Sequence, residues 1–205
     1  MIDIIKIIMI TKKLIESLDF GKIADQILNN YELVIKDQVY RICEIEFYCR
    51  CSKHEDKYTH CNKDQMEYEK FYFHKYNNGT YKAGTYKGID ITFGNNNMYF
   101  GILIRSIYNE QNNEFIEGPC RTVNKILEIN ECSQVKELIG DEILGIYGDE
   151  RVKIRHNKDL IKKSIYIGPR IGLSDKYPDY KLKKYRFIIN SDKIKKDKKS
   201  LELMV

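Results

Sequence analysis

Tryptophan is absent from this 205-residue chain, and proline occurs only three times. The aromatic content of 12% comes from 16 tyrosines and 8 phenylalanines instead. Tyrosine suits surfaces that are half apolar and half wet, because its ring is apolar and its hydroxyl is polar. A strong charge excess is also missing. The formal net charge of +5 agrees with an approach to phosphate backbones, but equally with proteins that bind nothing anionic.

Export signals and a disulfide framework are lacking as well. The apolar residues 1–10 are interrupted by Asp3 and Lys6, and they have neither the cleavage site of a signal peptide nor the length of a membrane span. The six cysteines are unevenly spaced, so we expect reduced thiols. We therefore expect an intracellular protein, nuclear or cytoplasmic, with no membrane partner.

The length favours one domain, over residues 1–190, because a chain of this size can bury one sizeable core. Residues 191–205 are dominated by charged side chains and predict a solvated tail. The order of helix-like and strand-like segments predicts a mixed α/β (α+β) fold. We expect a curved, largely antiparallel sheet flanked by helices, in a monomer.

Local patterns in the first part of the chain predict two helices and a hairpin. Amphipathic stretches at 14–18 and 23–28 predict the helices, and Asp19 is placed to cap the second one. Residues 31–35 and 39–48 are rich in strand-forming side chains around a turn-like triplet. From 49 to 78 polar, charged and aromatic residues mix without periodicity, which predicts a long surface excursion with little regular structure.

The second part of the chain predicts further strands and one clear helix. Residues 98–107 are almost continuously apolar and predict a central strand of the core. Gly118 and Pro119 are typical of a helix start, because proline at the first helical position loses no needed hydrogen bond. Residues 165–173 and 185–189 predict two late strands.

The run from Arg41 to Tyr48 carries charge within an apolar strand. Successive side chains of a strand alternate between faces, so Glu44, Glu46 and Tyr48 share one side and the apolar residues between them share the other. The polar side is a candidate reaction surface. A cation on the apolar strand 98–107, Arg105, needs a partner or a ligand, and Glu46 is the expected partner.

Together these segments resemble the alkyladenine (3-methyladenine) DNA glycosylases, which excise damaged purines after flipping the nucleotide out of the duplex. The resemblance covers roughly residues 20–189, in order and with similar spacing. Each motif is short, and only the set is specific. The matching segments are Phe20-Gly-Lys-Ile-Ala-Asp-Gln-Ile-Leu28, Arg41-Ile-Cys-Glu-Ile-Glu-Phe-Tyr48, Glu55-Asp-Lys-Tyr-Thr-His60, Gly84-Thr-Tyr86, Ile91-Thr-Phe-Gly94, Ile102-Leu-Ile-Arg105, Gly118-Pro119 through Asn130, Pro169-Arg-Ile-Gly172 and Tyr185-Arg-Phe187.

The resemblance implies a role for each site residue. Glu46 would be the general base that activates water, and Arg105 would stabilise the developing charges. Tyr48 and His60 would stack on the flipped base, and Phe93 would wedge into the duplex. It implies damaged double-stranded DNA as partner, hydrolysis of the N-glycosidic bond as reaction, and no metal or cofactor.

Several alternatives remain open from the sequence. The segment after His60 is acidic and lacks the glycine of the family, and Asp90 adds a carboxylate near the pocket. Both changes also fit a nucleic-acid-binding relative with altered chemistry. Glu46 could be an ordinary paired carboxylate, and Phe93 plain core. A third possibility is a small structural zinc protein that uses the cluster Cys49, Cys51, His54, His60 and Cys61.

Overall fold

The first helices follow the amphipathic pattern of the sequence. In the computed structural model, which describes residues 10–205, helices α1 (Lys12–Glu16) and α2 (Phe20–Asn30) are formed as predicted. Asp19 caps α2 by accepting a hydrogen bond from the Lys22 backbone N–H at 3.1 Å. The apolar start of the chain, residues 1–9, lies outside the described residues. No helix within 10–205 is long and apolar enough to cross a membrane.

The predicted hairpin is confirmed and is longer than expected. Strands β1 (Tyr31–Ile35) and β2 (Gln38–Cys51) pair antiparallel around the tight turn at residues 36–37. Lys36 takes a positive φ of 51° in this turn. The second strand then continues for 14 residues through the centre of the sheet.

The remaining elements complete a mixed α/β domain, as predicted. Short 3₁₀ turns lie at Lys63–Met66, Gly84–Tyr86 and Lys198–Ser200. The other strands and helices are β3 (His54–Glu55), β4 (Tyr68–Phe73), β5 (Ile89–Phe93), β6 (Tyr99–Asn109), β7 (Glu114–Glu117), α3 (Pro119–Ile129), α4 (Val135–Ile139), β8 (Lys153–His156), β9 (Tyr166–Gly168), α5 (Pro178–Lys181), β10 (Arg186–Ile188) and β11 (Glu202–Leu203).

The eleven strands of residues 10–205 join one antiparallel sheet. The main path runs β11-β9-β10-β2-β6-β5-β4. Strand β1 bridges β2 and β8, while β3 extends from β2 and β7 from β6. The predicted central strand is thus β6, and it lies beside β2. The predicted late strands, β9 and β10, enter the sheet on the other side of β2.

The prediction for residues 49–78 is wrong in its second half. Residues 68–73 form strand β4, and Phe71, Tyr72 and Phe73 are buried. The cause is a bulge at Glu69, which has a positive φ of 57° and interrupts the register with β5. A bulge shifts the alternation of side chains by one residue, so the strand has no simple polar–apolar period.

The predicted solvated tail is also wrong in part. Ile194 is buried, and Glu202 and Leu203 pair with β9 as strand β11. The backbone carbonyl of Lys196 accepts a hydrogen bond from Arg186 Nη2 at 3.0 Å. The lysines dominate the composition of this segment, but its few apolar residues attach it to the sheet.

The two faces of the sheet differ as the alternation predicts. Ile45 and Phe47 on β2 belong to the continuous hydrophobic core, which also includes the buried side of α2 and α3. Phe20 of α2 stacks on Phe47 with ring centroids 4.6 Å apart. The acidic residues of β2 lie on the opposite face. That face carries the candidate site.

Candidate functional site

One row of paired residues crosses five strands on the acidic face of the sheet, and four of its five side chains are polar. Glu46 of β2 is in register with Arg186 of β10 on one side and with Leu103 of β6 on the other. Leu103 is in register with Asp90 of β5, which is in register with Tyr72 of β4. Residues directly opposite in antiparallel strands share a face, so one backbone register brings these groups together.

Glu44 anchors the buried end of this face. Its Oε1 accepts hydrogen bonds from Arg105 Nε at 3.0 Å and from Arg186 Nε at 2.6 Å. The hydroxyl of Ser106 donates to its Oε2. Arg105 reaches this position because it is the extra residue of a β-bulge between β2 and β6. The prediction that Arg105 pairs with an acidic partner is therefore confirmed, and it has two.

Glu46 is fully buried, and both of its oxygens are engaged. Oε1 accepts the backbone N–H of Ile171 at 2.8 Å and lies 3.4 Å from Arg105 Nη1. Oε2 accepts the hydroxyl of Tyr48 at 2.9 Å. Glu46, Tyr48 and Arg105 thus form one connected group, as the sequence predicted for residues of one site.

Tyr48 links this group to a pocket. Burial, together with the negative charge of Glu46, raises the pKa of Tyr48 well above its usual range, so the phenol remains protonated. The guanidinium of Arg170 lies 4.4 Å from the ring centroid. Arg170 is itself held by Asp56, with Nη2 and Oδ1 3.0 Å apart. One side of the Tyr48 ring is thereby fixed by Arg170, whose positive charge is paired with Asp56.

The pocket has a volume of about 90 Å³. Tyr48 and His60, which the sequence predicted to bind the substrate, both line this pocket. Its lining residues are Tyr48, Tyr58, His60, Gln65, His74, Asp90 and Leu173.

His60 lies at the outer end of the pocket. Desolvation and the neighbouring His74, whose ring centroid is 4.5 Å away, lower the pKa of His60 to about 4. The imidazole is therefore neutral at physiological pH. It accordingly accepts from Lys82 Nζ, 3.3 Å from its Nε2, and donates through Nδ1 to the hydroxyl of Tyr72 at 3.4 Å.

Asp90 forms the polar wall of the pocket. Its Oδ1 lies 2.7 Å from His74 Nε2, and its Oδ2 accepts from Gln65 Nε2 at 3.2 Å. Two glycines make room for this arrangement. A Cβ at Gly101 would lie 2.5 Å from Asp90 Oδ2, and one at Gly88 would lie 2.6 Å from the ring of His74.

Phe93 does not belong to the site, and its predicted role as a wedge is wrong. The residue is fully buried in the hydrophobic core, and its ring packs edge-on against Tyr68 at 5.4 Å. Phe93 and Asp90 are separated by three positions of one strand, so they lie on opposite faces of the sheet. The open alternative, plain core, is the one that the structure supports.

An exposed aromatic residue lies elsewhere in the same part of the chain. Tyr86 is 71% exposed and ends the turn Gly84–Tyr86. Cys120, in the first turn of α3, anchors this turn by donating to the Gly84 carbonyl at 3.0 Å. Tyr86 belongs to one of the segments that carry the resemblance, but no sequence pattern distinguishes it from the other tyrosines, and its exposure does.

A basic groove leads from the mouth of the pocket. A vestibule of about 260 Å³ shares His60 with the pocket, and it shares Lys75 and Lys82 with a groove of about 670 Å³. Lys87 also lines the groove. Within residues 10–205, neither Lys82 nor Lys87 has a carboxylate oxygen within 4.0 Å. The groove therefore carries positive charge that its own acidic residues leave uncompensated.

The zinc alternative is not supported by the arrangement of the cysteines and histidines. His54 Nδ1 lies 2.8 Å from the Cys49 carbonyl, and its Nε2 lies 2.8 Å from the Tyr185 hydroxyl. All six cysteines are free thiols. In the described part of the chain, no three histidine, cysteine or acidic side chains group so that they could hold a metal ion.

Sequence reasoning thus found part of the site. It identified Glu46, Tyr48, His60 and Arg105, which the structure joins directly or through the pocket, and it noted Asp90. It missed Tyr58, Gln65 and His74, which all lie in the segment 49–78 that was predicted to be irregular. His74 comes to the pocket through the pairing of β4 with the strand of Asp90, and no local pattern predicts that pairing.

Comparison with known proteins gives one relative. The chain is 42% identical over 197 residues to a protein of Acanthamoeba polyphaga mimivirus named "Uncharacterized protein L759". The alignment covers 89% of this chain and 91% of the viral protein. No model of a known protein family matches the chain.

Proposed function

We propose that this chain, which belongs to the same family as the mimivirus protein L759, is a DNA base-excision glycosylase. Its substrates would be alkylated or deaminated purines in double-stranded DNA, and the bond cleaved would be the N-glycosidic bond. A DNA substrate implies action in the nucleus or the cytoplasm. We further propose that the protein acts as a monomer.

One observation carries the proposal. Tyr48 and His60 line the same pocket, and the hydroxyl of Tyr48 donates to Glu46 at 2.9 Å. A flipped base needs flat side chains for stacking, and hydrolysis needs a carboxylate near the sugar. Both requirements are supported by a single pocket on one face of the sheet.

The proposed reaction uses Tyr48 as the link to the carboxylate. Water attacks C1′ of the sugar while the C1′–N bond breaks, and the bonding electrons leave with the purine. The water proton passes to the Tyr48 oxygen as the Tyr48 proton passes to Glu46 Oε2. Arg105 contacts Glu44 and Glu46 but does not line the pocket. We therefore assign it a positioning role, which replaces the catalytic role expected from sequence.

The groove supports a nucleic-acid substrate. Lysines that lack acidic partners attract phosphates, and the resulting affinity falls steeply with salt. Lys82 and Lys87 line a groove that begins at the pocket mouth. Tyr86, on the turn beside it, is placed to insert between bases, as apolar wedges of DNA-bending proteins do.

A second candidate function has its own support. Glu46 is completely buried, with both oxygens already bonded. Such a carboxylate also suits a purely structural role. The alternative is a nucleic-acid-binding relative of the same fold that flips or holds a base without cleaving it.

The experiment that separates the two incubates the protein with duplexes carrying hypoxanthine, ethenoadenine or 3-methyladenine and measures abasic sites. We expect base release by the wild type. In Glu46→Gln the release rate should fall by about two to four orders of magnitude, with duplex affinity retained. Tyr48→Ala should weaken capture, since stacking contributes roughly 1 to 3 kcal/mol per base.

Glu128→Gln is the matched control, because Glu128 is an exposed carboxylate on α3 that, in the described part of the chain, forms an ion pair with Lys125 alone. It should leave release unchanged. If wild type and Glu46→Gln are equally inert but both bind duplex, the binding relative is the correct function. If the protein has no affinity for DNA at any salt concentration, both functions are wrong.

A further inference from the structure

We propose that Lys82 is the nucleophile of a second activity, cleavage of the DNA strand at an abasic site. Its amine forms an imine with the sugar aldehyde that base excision leaves in the strand. The inference rests on the proposed function for the origin of this aldehyde. A duplex with a ready-made abasic site nevertheless tests it without any base excision.

The first support is the position of Lys82 beside the pocket. Its Nζ lies 3.3 Å from Nε2 of His60, and His60 lines both the pocket and the vestibule outside it. Lys82 lines the vestibule but not the pocket. A base held in the pocket therefore places its sugar toward the vestibule, within reach of the flexible four-carbon side chain of Lys82.

The second support is the lack of an acidic partner for the amine. In the part of the chain that the structure describes, no carboxylate oxygen lies within 4.0 Å of Lys82 Nζ. The amine contacts the imidazole of His60 instead, which is neutral because its pKa falls to about 4. A carboxylate would hold the proton on the amine, and a neutral imidazole does not.

Lys75 has the opposite surroundings in the same vestibule. Its Nζ lies 2.5 Å from Oδ2 of Asp64 and 5.0 Å from the ring centroid of Tyr81. Both contacts favour the ammonium form, which has no lone pair for attack on a carbonyl carbon. The vestibule therefore contains one lysine that is held as a cation and one lysine, Lys82, whose amine is available.

Desolvation also favours the neutral amine of Lys82. Partial burial lowers its pKa below the ordinary 10.5, and the charge of Asp90 opposes this shift with a smaller effect. The neutral amine is the form that attacks carbonyl groups, and partly desolvated lysines are the ones that proteins use for imine chemistry. The pKa of Lys82 thus shifts in the direction that the reaction requires.

The proposed reaction proceeds through an imine. The Nζ lone pair attacks C1′ of the open-chain aldehyde, the carbonyl oxygen leaves as water, and the imine joins Lys82 to the strand. Solvent water then takes the C2′ proton, and the electrons of the C2′–H bond form the C2′=C3′ double bond. The 3′ phosphate leaves with the electrons of the C3′–O bond. Hydrolysis of the imine returns the amine of Lys82.

The test traps the imine on a duplex that carries one abasic site. Sodium borohydride reduces an imine to a stable amine, so a denaturing gel should show a covalent complex of protein and DNA. Without borohydride the same gel should show a cleaved strand. Digestion and mass spectrometry should locate the adduct on Lys82. Lys82→Arg keeps a positive charge but cannot form the imine, so both signals should be lost at protein concentrations that saturate the duplex.

Lys195→Arg is the matched control, because Lys195 is an exposed lysine that lines neither the pocket, the vestibule nor the groove. It should give the same covalent complex as the wild type. The absence of a complex, an adduct on another residue, undiminished trapping by Lys82→Arg or an equal loss in both variants would overturn the inference. If Lys82→Arg does not fold, which melting followed by circular dichroism would reveal, the position of the adduct in the wild type decides alone.

Base release separates this inference from the proposed function. A wild type that traps and cleaves the abasic duplex but releases no base supports the role of Lys82 and overturns the glycosylase proposal. Base release without a trapped complex or a cleaved strand overturns the role of Lys82 alone.

Discussion

The two faces of the central sheet are built from the same strands but held by different forces. On the core face, side chains such as Ile45 and Phe93 are buried among apolar neighbours. On the other face, Glu44, Glu46 and Asp90 are equally buried but are held by ion pairs and hydrogen bonds. The first face needs only volume and shape. The second needs every polar group to have a partner.

This difference shows how one sheet can both fold and present chemistry. Strand alternation separates the two tasks residue by residue, so the polar face is supported by the core directly behind it. The unfolding free energy lost when a side chain is removed should therefore depend on lost packing on one face and on unpaired charges on the other.

The largest effect is expected on the polar face, at Glu44. Glu44→Gln removes the charge that Arg105 and Arg186 share and leaves two buried guanidinium groups without their common partner. Breaking a buried pair in this way costs about 3 to 5 kcal/mol. Denaturant unfolding should show a loss of unfolding free energy near the upper end of this range. A loss below about 1 kcal/mol, the level of an exposed ion pair, would mean that the polar face does not hold the sheet together.

A similar loss of unfolding free energy on the core face should come from Phe93→Ala, because deleting a fully buried ring leaves a cavity that costs about 3 to 5 kcal/mol.

Tyr86→Ala removes an exposed aromatic ring instead of a buried one. Tyr86 is largely exposed, so its unfolding free energy should change by no more than about 0.5 kcal/mol. Its duplex affinity should fall, which fluorescence anisotropy would measure. Unchanged affinity in Tyr86→Ala would remove this residue from the DNA interface.

An intermediate loss of unfolding free energy is expected on substitution of Gly101. Gly101→Ala would place a Cβ 2.5 Å from Asp90 Oδ2 and 2.8 Å from Gln65 Nε2, and such overpacking costs about 1 to 3 kcal/mol. Displacement of Asp90 should also change the shape of the pocket that Asp90 and Gln65 line. Gly145→Ala is the control, because its nearest contact would be an ordinary 3.5 Å. Equal stability of the two variants would contradict the crowding at Gly101.

The smallest effect concerns pH. The pKa of His60 falls from 6.5 to about 4 on folding, so the unfolded chain binds a proton that the folded one does not. The stability that results is fully present above pH 6.5 and is lost as the pH falls toward 4. His60→Gln should therefore lose less stability across this range than the wild type. His60 is exposed at the outer end of the pocket, and screening by solvent keeps the difference small. The same dependence of unfolding free energy on pH in the wild type and His60→Gln would contradict this prediction.

Much of the fold followed from local rules that need no tertiary information. The cap at Asp19, the turn at Lys36 and the start of α3 at Pro119 each depend on side-chain or backbone chemistry within a few residues. The polar side of β2 likewise followed from alternation. These features were predictable because neighbours in sequence decide them.

The rest depended on contacts between distant residues. Strand β4 was missed because the left-handed conformation of Glu69 shifts its alternation, and no local signal predicts that bulge. Phe93 was misplaced for another reason: the resemblance implied a wedge, whereas its position in β5, three residues from Asp90, puts it on the apolar face of the sheet. His74 joins the pocket through the register of β4 with β5, which sequence alone did not reveal.

The pairing of Arg186 with Glu44 spans 142 positions of the chain. During synthesis on the ribosome, β2 therefore emerges long before β10 can pair with it. Until then one edge of β2 has no hydrogen-bonded neighbour, and its acidic side chains are exposed to water. Contacts of such long range slow folding. Nascent chains arrested before residue 186 should thus be open to proteases and chaperones, with the pocket closing only at the end of translation.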